Sequence, residues 1–153
     1  MKKYHTILFV TMLTLFKSAY SQSIDEVNKK IALLEKVSVE LADKQLHAYN
    51  NKDIDEFLRP FSDSVKVREY PNTMLYVGKS EMRKRYEKLF AIHPKLKCEI
   101  ANRIVFGNKV IDLEKLTGFD KSGGFPDNWV MDALVVYTIT NDLISEVCFV
   151  KQL

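Results

Sequence analysis

Acidic side chains at alternating positions are the first groups in this sequence that suggest chemistry. Asp112 and Glu114 lie two residues apart in a predicted strand, and Asp132 lies in another predicted strand. Because residues two apart share one face of a strand, these carboxylates could form an acidic pair or an ion site. The neighbouring Lys109 and Lys115 favour the alternative, a solvated outer face, and we adopt that interpretation.

Metal-ligating and nucleophilic groups are sparse. His47 lies in a predicted helix and His93 precedes a proline, and neither has a second His or Cys at ligand spacing. We therefore expect no metal site. The sequence also has no glycine-rich phosphate loop after a predicted strand and no Gly-x-Ser-x-Gly turn, so we expect no cofactor of those classes.

The two cysteines raise the question of a disulfide. Cys98 begins the first of four long predicted strands and Cys148 lies in the last one. In the predicted sheet order two strands separate them, and neighbouring strands lie about 5 Å apart, so a bridge cannot span the gap. We predict two buried thiols.

The N-terminus reads as a secretory signal peptide. Lys2 and Lys3 precede the apolar run 7–16, and small residues follow it up to Ser21. We predict cleavage near Ser21 and export to the periplasm or the extracellular medium; the alternative is an uncleaved membrane-surface anchor. The apolar run is too short for stable membrane insertion.

Composition and charge then limit the partners of the processed chain. The full sequence has 153 residues, of which 46% are hydrophobic, as expected for one globular domain. Removal of residues 1–21 takes away three of the 23 basic residues and none of the 20 acidic ones, which leaves no net charge. A neutral domain without a basic run gives no electrostatic case for nucleic acid or an anionic membrane.

Hydrophobic spacing predicts helices followed mainly by strands. Residues 22–36 form an amphipathic helical extension, and the helix continues through Tyr49, with or without a break near Ser38. Asp53 then caps a short second helix, and a third helix ends before Pro94. Two short strands precede the third helix and four long ones follow it, with hairpin turns at 107–108 and 141–142. This order indicates an α+β domain with helices on one face of a sheet.

The order of these elements and several local strings resemble one superfamily. The strings are Tyr49–Asp55, Phe61–Val65, Tyr76–Gly78, Asn102–Val105 and the final hairpin Val135–Val150. Together they are similar to the nuclear transport factor 2-like, or SnoaL-like, proteins, which include ketosteroid isomerase. The resemblance covers residues 37–153. It implies three helices packed on a strongly bent antiparallel sheet, which forms a cone with a pocket.

The resemblance also implies positions for catalytic groups. It places Glu69 where the isomerases have their proton-transferring acid, and Gln45 where they have a tyrosine donor. The second oxyanion donor falls near Val135, which cannot donate, so the oxyanion site is incomplete. A structural alternative for Glu69 is a strand-end carboxylate that is solvated or paired with Arg68, Arg85 or Arg103.

The implied pocket would hold a small hydrophobic molecule. Its expected walls are Phe57, Tyr86, Trp129, Met131, Val135 and Phe149; the alternative is a filled core without a cavity. The function implied is that of an exported SnoaL-like domain that binds such a molecule, with isomerase-type proton transfer by Glu69. The alternative is a non-catalytic protein-interaction module that forms a homodimer through the sheet face.

Overall fold

The computed structural model describes residues 2–120, Gly124 and residues 129–150, with side chains from residue 23 onward. The side chains of the predicted signal peptide lie outside the described residues. The chain divides into two compact units, residues 1–34 and residues 35–153. In the described part, no helix has an apolar stretch long enough to cross a membrane.

The helices end close to where their sequence signals predict, and the first helix begins earlier than the predicted start at residue 22. They are α1 (Lys2–Asn51), α2 (Ile54–Leu58) and α3 (Lys79–Ile92). The predicted cap of α2 is confirmed, because Asp53 Oδ1 accepts a hydrogen bond from the Glu56 backbone N–H at 3.0 Å. Lys52, between α1 and α2, has a φ of 60°, so the chain turns sharply there.

Within the described residues, six strands form one open sheet. They are β1 (Phe61–Glu69), β2 (Thr73–Val77), β3 (Lys97–Phe106), β4 (Lys109–Thr117), β5 (Met131–Thr140) and β6 (Leu143–Val150). Their order is β2-β1-β6-β5-β4-β3. This confirms the α+β fold with helices on one face of the sheet.

The sheet is mixed, not antiparallel throughout as predicted. β1 and β6 run parallel, with Val67 opposite Val147, whereas the other pairings are antiparallel. Parallel neighbours need a long connection, and α3 and the intervening strands supply one. The predicted tight hairpin between β5 and β6 is confirmed, because Asn141 and Asp142 both adopt positive φ.

The inner face of the sheet and the helices enclose the core. Its centre is aromatic: the Phe57 ring lies 4.4 Å from that of Tyr86 and 5.3 Å from that of Phe61, measured between centroids. Tyr49 and Phe90 stack edge-on beside them. Valines from β1 and β5, including Val135, are fully buried around this cluster.

The prediction that Asp112 and Glu114 lie on a solvated outer face is wrong. Val110, Asp112, Glu114 and Leu116 alternate along β4 and all face the core, with Asp112 fully buried and Glu114 7% exposed. The opposite face of β4 carries two apolar residues as well, Ile111 and Leu113, so the pattern of the strand alone does not decide which face turns inward. The exposed outer face carries Lys109, Lys115 and Asp132 instead.

The cysteine prediction is partly confirmed. Two strands, β5 and β4, separate Cys148 from Cys98, and both thiols are free. Cys98 is buried, but Cys148 is only half-buried. The reason is strand alternation: Val147 lies in the core and Phe149 packs against it, so Cys148 between them points to the outer face.

Candidate functional site

A cavity of about 210 Å³ lies within the second unit, between the three helices and the inner face of the sheet. Most of its wall is apolar or aromatic, and includes Leu46, Phe57, Phe61, Leu89, Met131 and Phe149. A smaller set of side chains brings polar atoms to the wall: Gln45, Tyr49, Tyr86, Cys98, Glu114 and Tyr137. Apolar walls with a few convergent polar groups are typical of small-molecule sites.

Three of the polar groups form a hydrogen-bond chain. The Tyr137 hydroxyl donates to Glu114 Oε1 at 2.7 Å and accepts from Gln45 Nε2 at 3.2 Å. All three residues are buried, and they come from β5, β4 and α1. The tyrosine therefore holds the carboxyl in one orientation, and the glutamine holds the tyrosine.

The carboxyl of Glu114 has an unusual proton affinity. Burial raises the pKa of Glu114 from 4.5 to about 7, since an apolar wall solvates the carboxylate poorly. This net value already includes a further rise caused by the buried Asp112, which is opposed by the hydrogen bonds from Tyr137 and from the Cys98 thiol. A group with a pKa near neutrality can both accept and return a proton under physiological conditions.

A buried ion pair supports the strand that carries Glu114. The Arg103 guanidinium donates to both oxygens of Asp112, through Nε at 2.6 Å and Nη2 at 2.8 Å. Its third nitrogen, Nη1, lies 2.6 Å from Asp43 Oδ1 on α1. This network ties β3, β4 and α1 together, and the bidentate contact satisfies the fully buried Asp112 carboxylate.

The remaining polar groups of the wall stay neutral. Burial raises the pKa of Tyr49, of Tyr86 and of the Cys98 thiol, so none of them carries charge near neutral pH. Tyr49 and Tyr86 thus place neutral hydroxyls on the cavity wall.

Asn50 of α1 holds β3 in place at Cys98. Its side chain makes two hydrogen bonds with the backbone of Cys98, each 2.8 Å long.

Most of the predicted wall residues meet at this cavity. The structure places Phe57, Tyr86, Met131 and Phe149 on its wall, together with Gln45, which was predicted as a catalytic group. Val135 is fully buried in the core instead. The expected cavity, as opposed to a filled core, is therefore present.

Glu69 and Trp129 lie elsewhere. Both line a second, more open hollow at the end of β1, which shares Met131 and Phe149 with the central cavity. The Trp129 ring packs on that of Phe119, with 5.0 Å between centroids. The proton-carrier role of Glu69 stays a prediction, and its position on this hollow gives that role no support.

Glu114 is the functional candidate that sequence reasoning assigned to the wrong face. Its parity with Val110 and Leu116 was not a sufficient signal, because Ile111 and Leu113 are equally apolar residues of the opposite parity. In the described part of the chain, no group of three or more His, Cys, Asp or Glu side chains is arranged to hold a metal ion. The groups at the cavity that can take part in chemistry are therefore the Glu114 carboxyl and its hydrogen-bond partners.

Comparisons with known proteins agree on the fold. The chain is similar in structure to an uncharacterized cystatin fold protein from Novosphingobium aromaticivorans, with 26% identity, a TM-score of 0.68 and coverage of 74% of this chain and 97% of that one. It is also similar to a putative ketosteroid isomerase from Kribbella flavida, with 14% identity and a TM-score of 0.61; the match covers 75% of this chain and 77% of that one. A third similar structure is an LEH-like epoxide hydrolase from M. tuberculosis, at 11% identity and a TM-score of 0.64, covering 76% and 79%.

The family follows from the sequence. A comparison with curated proteins found no match. The family model described as a SnoaL-like domain matches residues 42–147, which is more than half of the chain and includes Gln45, Glu114 and Tyr137. The resemblance inferred from the order of the elements is confirmed, and this chain belongs to the SnoaL-like domain family.

Proposed function

We propose that this domain binds a small, largely apolar molecule with a carbonyl group and moves a proton on it through Glu114. The observation that carries the proposal is the hydrogen-bond chain of Gln45, Tyr137 and Glu114 on the wall of an apolar cavity. A carboxyl with a pKa raised to about 7 is suited to general acid–base catalysis. Glu114 thus takes the role that the resemblance alone would give to Glu69.

The size of the cavity bounds the ligand. An apolar cavity of about 150 Å³ is large enough for benzene. The 210 Å³ found here therefore suits one ring with a few substituents. Because the wall is mostly apolar with a few polar groups, it favours a molecule with an apolar body and one polar group.

The proposed reaction is an isomerase-type proton shift. The Glu114 carboxylate removes a proton from the carbon beside the carbonyl, and the electrons move onto the carbonyl oxygen. The substrate also has a carbon–carbon double bond one position further from the carbonyl. The resulting carboxylic acid returns the proton to the far carbon of that bond, the carbonyl re-forms, the double bond moves next to the carbonyl, and the Glu114 carboxylate is restored. Tyr137 orients the carboxyl throughout by its hydrogen bond to Oε1.

The oxyanion of this reaction needs hydrogen-bond donors. Gln45 uses one amide N–H on Tyr137, and a carboxamide has a second. Tyr49 adds a neutral hydroxyl to the same wall, whereas the hydroxyl of Tyr86 is hydrogen-bonded to Tyr76. Preorganised donors of this kind are typically worth a few kcal/mol of the activation barrier. This donor set differs from the pair of groups that the resemblance implies.

The decisive experiment uses a β,γ-unsaturated cyclohexenone, which is one ring with one carbonyl. Its conversion to the conjugated α,β isomer is followed by ultraviolet absorbance. We expect the purified protein to accelerate this conversion, and Glu114→Gln to lower the rate at least about a hundredfold, the lower range for loss of a general base. Glu99→Gln, on the exposed face of β3, is the matched control.

Two results would contradict the proposal. One is a Glu114→Gln variant that folds and keeps the rate of the native protein. The other is loss of the rate in Glu69→Gln with retention in Glu114→Gln, which would return the base role to Glu69.

A second candidate function is a non-catalytic dimeric interaction module. It is favoured by the outer face of the sheet, where Ile104, Phe106, Leu113 and Leu134 are exposed, Phe106 by 78%. A contiguous apolar face of this kind is typical of a protein–protein contact. In sedimentation measurements, Leu134→Glu should then weaken a homodimer, whereas Met74→Glu on β2 should not.

We also propose that the chain is exported after cleavage near Ser21. The support is the charged, apolar and small-residue order of residues 1–21. Expression of the complete sequence in a Gram-negative host tests it, because the mass of the periplasmic product shows where the chain begins. An uncleaved product found in the membrane fraction would favour the anchor alternative.

A further inference from the structure

The first unit carries an apolar stripe that the proposed function does not use. Ile24, Val27, Ile31 and Leu34 follow one another at steps of three, four and three residues along α1. They are 44%, 51%, 45% and 37% exposed. Steps that alternate between three and four residues place side chains on a single seam, as at the a and d positions of a heptad repeat.

We infer that this seam pairs with the same seam of a second copy of the chain, as a short parallel two-stranded coiled coil. The spacing assigns Ile24 and Ile31 to a positions, and Val27 and Leu34 to d positions. Isoleucine at both a positions and leucine at the second d position, Leu34, fit the pattern that favours two parallel strands over higher oligomers, whereas Val27 at the first d position does not. The inference concerns a separate surface and does not depend on the chemistry of the cavity.

The charges beside the seam fit a parallel arrangement. Lys30 then occupies a g position and Glu35 the following e position, five residues later. In a parallel pair, the g residue of one helix faces that e residue of the other, so each Lys30 meets a Glu35. In an antiparallel pair, like charges would face each other. Glu35 Oε1 accepts from the Gly107 N–H at 3.0 Å, and we assign its second oxygen to the partner's lysine.

The length of the seam is limited on its C-terminal side. The next two heptad positions are Ser38 and Leu41, which are 0% and 8% exposed within the second unit. They are therefore occupied by packing within their own chain. The pairing is confined to about two heptads and should be weak and dependent on concentration, since so short a seam buries little apolar surface.

Engineered cysteines test the geometry directly. In a Cys148→Ser background expressed from the complete sequence, Ile31→Cys places a thiol at an a position, where the two copies meet. Lys29→Cys places it at an f position, on the far side of the helix. Under mild oxidation we expect disulfide-linked dimers to form clearly faster from Ile31→Cys than from Lys29→Cys, because only the a position holds the two thiols next to each other. Equal rates, or no cross-linking at position 31, would overturn the inference.

A pair of charge substitutions tests the energetics. Ile31→Glu puts a carboxylate into the seam and should raise the dimer dissociation constant at least about tenfold, or 1.4 kcal/mol. Leu33→Glu is the matched control, because Leu33 is apolar and 64% exposed but lies off the seam. If both variants weaken the dimer equally, or neither does, the coiled coil is not the contact. A dimer through the sheet face alone gives that second result.

Discussion

Replacement of Glu114 by glutamine should change how stability depends on pH, and in a direction opposite to that of most carboxyls. The folded protein holds the Glu114 proton up to about pH 7, whereas the unfolded chain releases it near 4.5. Below the lower value both states are protonated, and the carboxyl contributes fully to stability. Between pH 4.5 and about 7 the unfolded chain releases this proton while the folded protein still holds it, so the contribution is lost progressively and is gone once the pH has risen through the folded pKa.

The size of the effect follows from the shift. A rise from 4.5 to about 7 corresponds to roughly 3 kcal/mol of free energy of unfolding. Glutamine has nearly the same shape, can still accept the Tyr137 hydrogen bond and cannot ionise. We therefore expect Glu114→Gln to match the native protein within about 1 kcal/mol at pH 5. At pH 8 the variant should be the more stable by roughly 3 kcal/mol.

Urea unfolding at pH 5, 6, 7 and 8 measures this difference. Taking native minus variant at each pH cancels the contribution of every other titrating group. Glu99→Gln supplies the control for loss of a charge from an exposed position. A difference between Glu114→Gln and native protein that stays constant from pH 5 to 8 would refute the reasoning, because Glu114 would then be ionised in the folded state throughout.

Three further predictions concern the parts that hold the site. Asp112→Asn breaks the bidentate contact with Arg103 and should cost about 3–5 kcal/mol in urea unfolding; a cost below 1 kcal/mol would show that the pair is dispensable. Asn50→Ala removes both hydrogen bonds to the Cys98 backbone and should cost about 2 kcal/mol, with faster amide exchange at Cys98; unchanged exchange would contradict this. Iodoacetamide should modify Cys148 in the native protein and Cys98 only after unfolding, as followed by mass spectrometry; equal rates would place Cys98 at the surface.

Local signals predicted the local structure well. The end of α1 at Asn51, the Asp53 cap and the turn at Asn141 and Asp142 each depend on a few adjacent residues. The parallel pairing of β1 with β6 has no such signal, because it joins residues about eighty positions apart. Alternation along a strand is compatible with either direction of its neighbour.

The site was harder to predict than the fold, for two physical reasons. Alternation in β4 shows that Asp112 and Glu114 share a face, but the choice of the inward face depends on contacts with other elements. A buried carboxylate also violates the usual preference, and it is tolerated here because Arg103 pairs with Asp112 and Tyr137 bonds Glu114. Arg103 and Tyr137 are not adjacent in sequence to the acids that they bind, so neighbouring residues could not predict that these two carboxyls are buried.

The most direct test of the central claim is a titration of the Glu114 side-chain carboxyl by ¹³C NMR, with its resonance assigned by its absence in Glu114→Gln. A midpoint near pH 7 is predicted, as expected for a carboxyl buried on the wall of an apolar cavity. A midpoint near 4.5 would mean that water or a cation solvates the group, and Glu114 could not serve as the proton carrier proposed here.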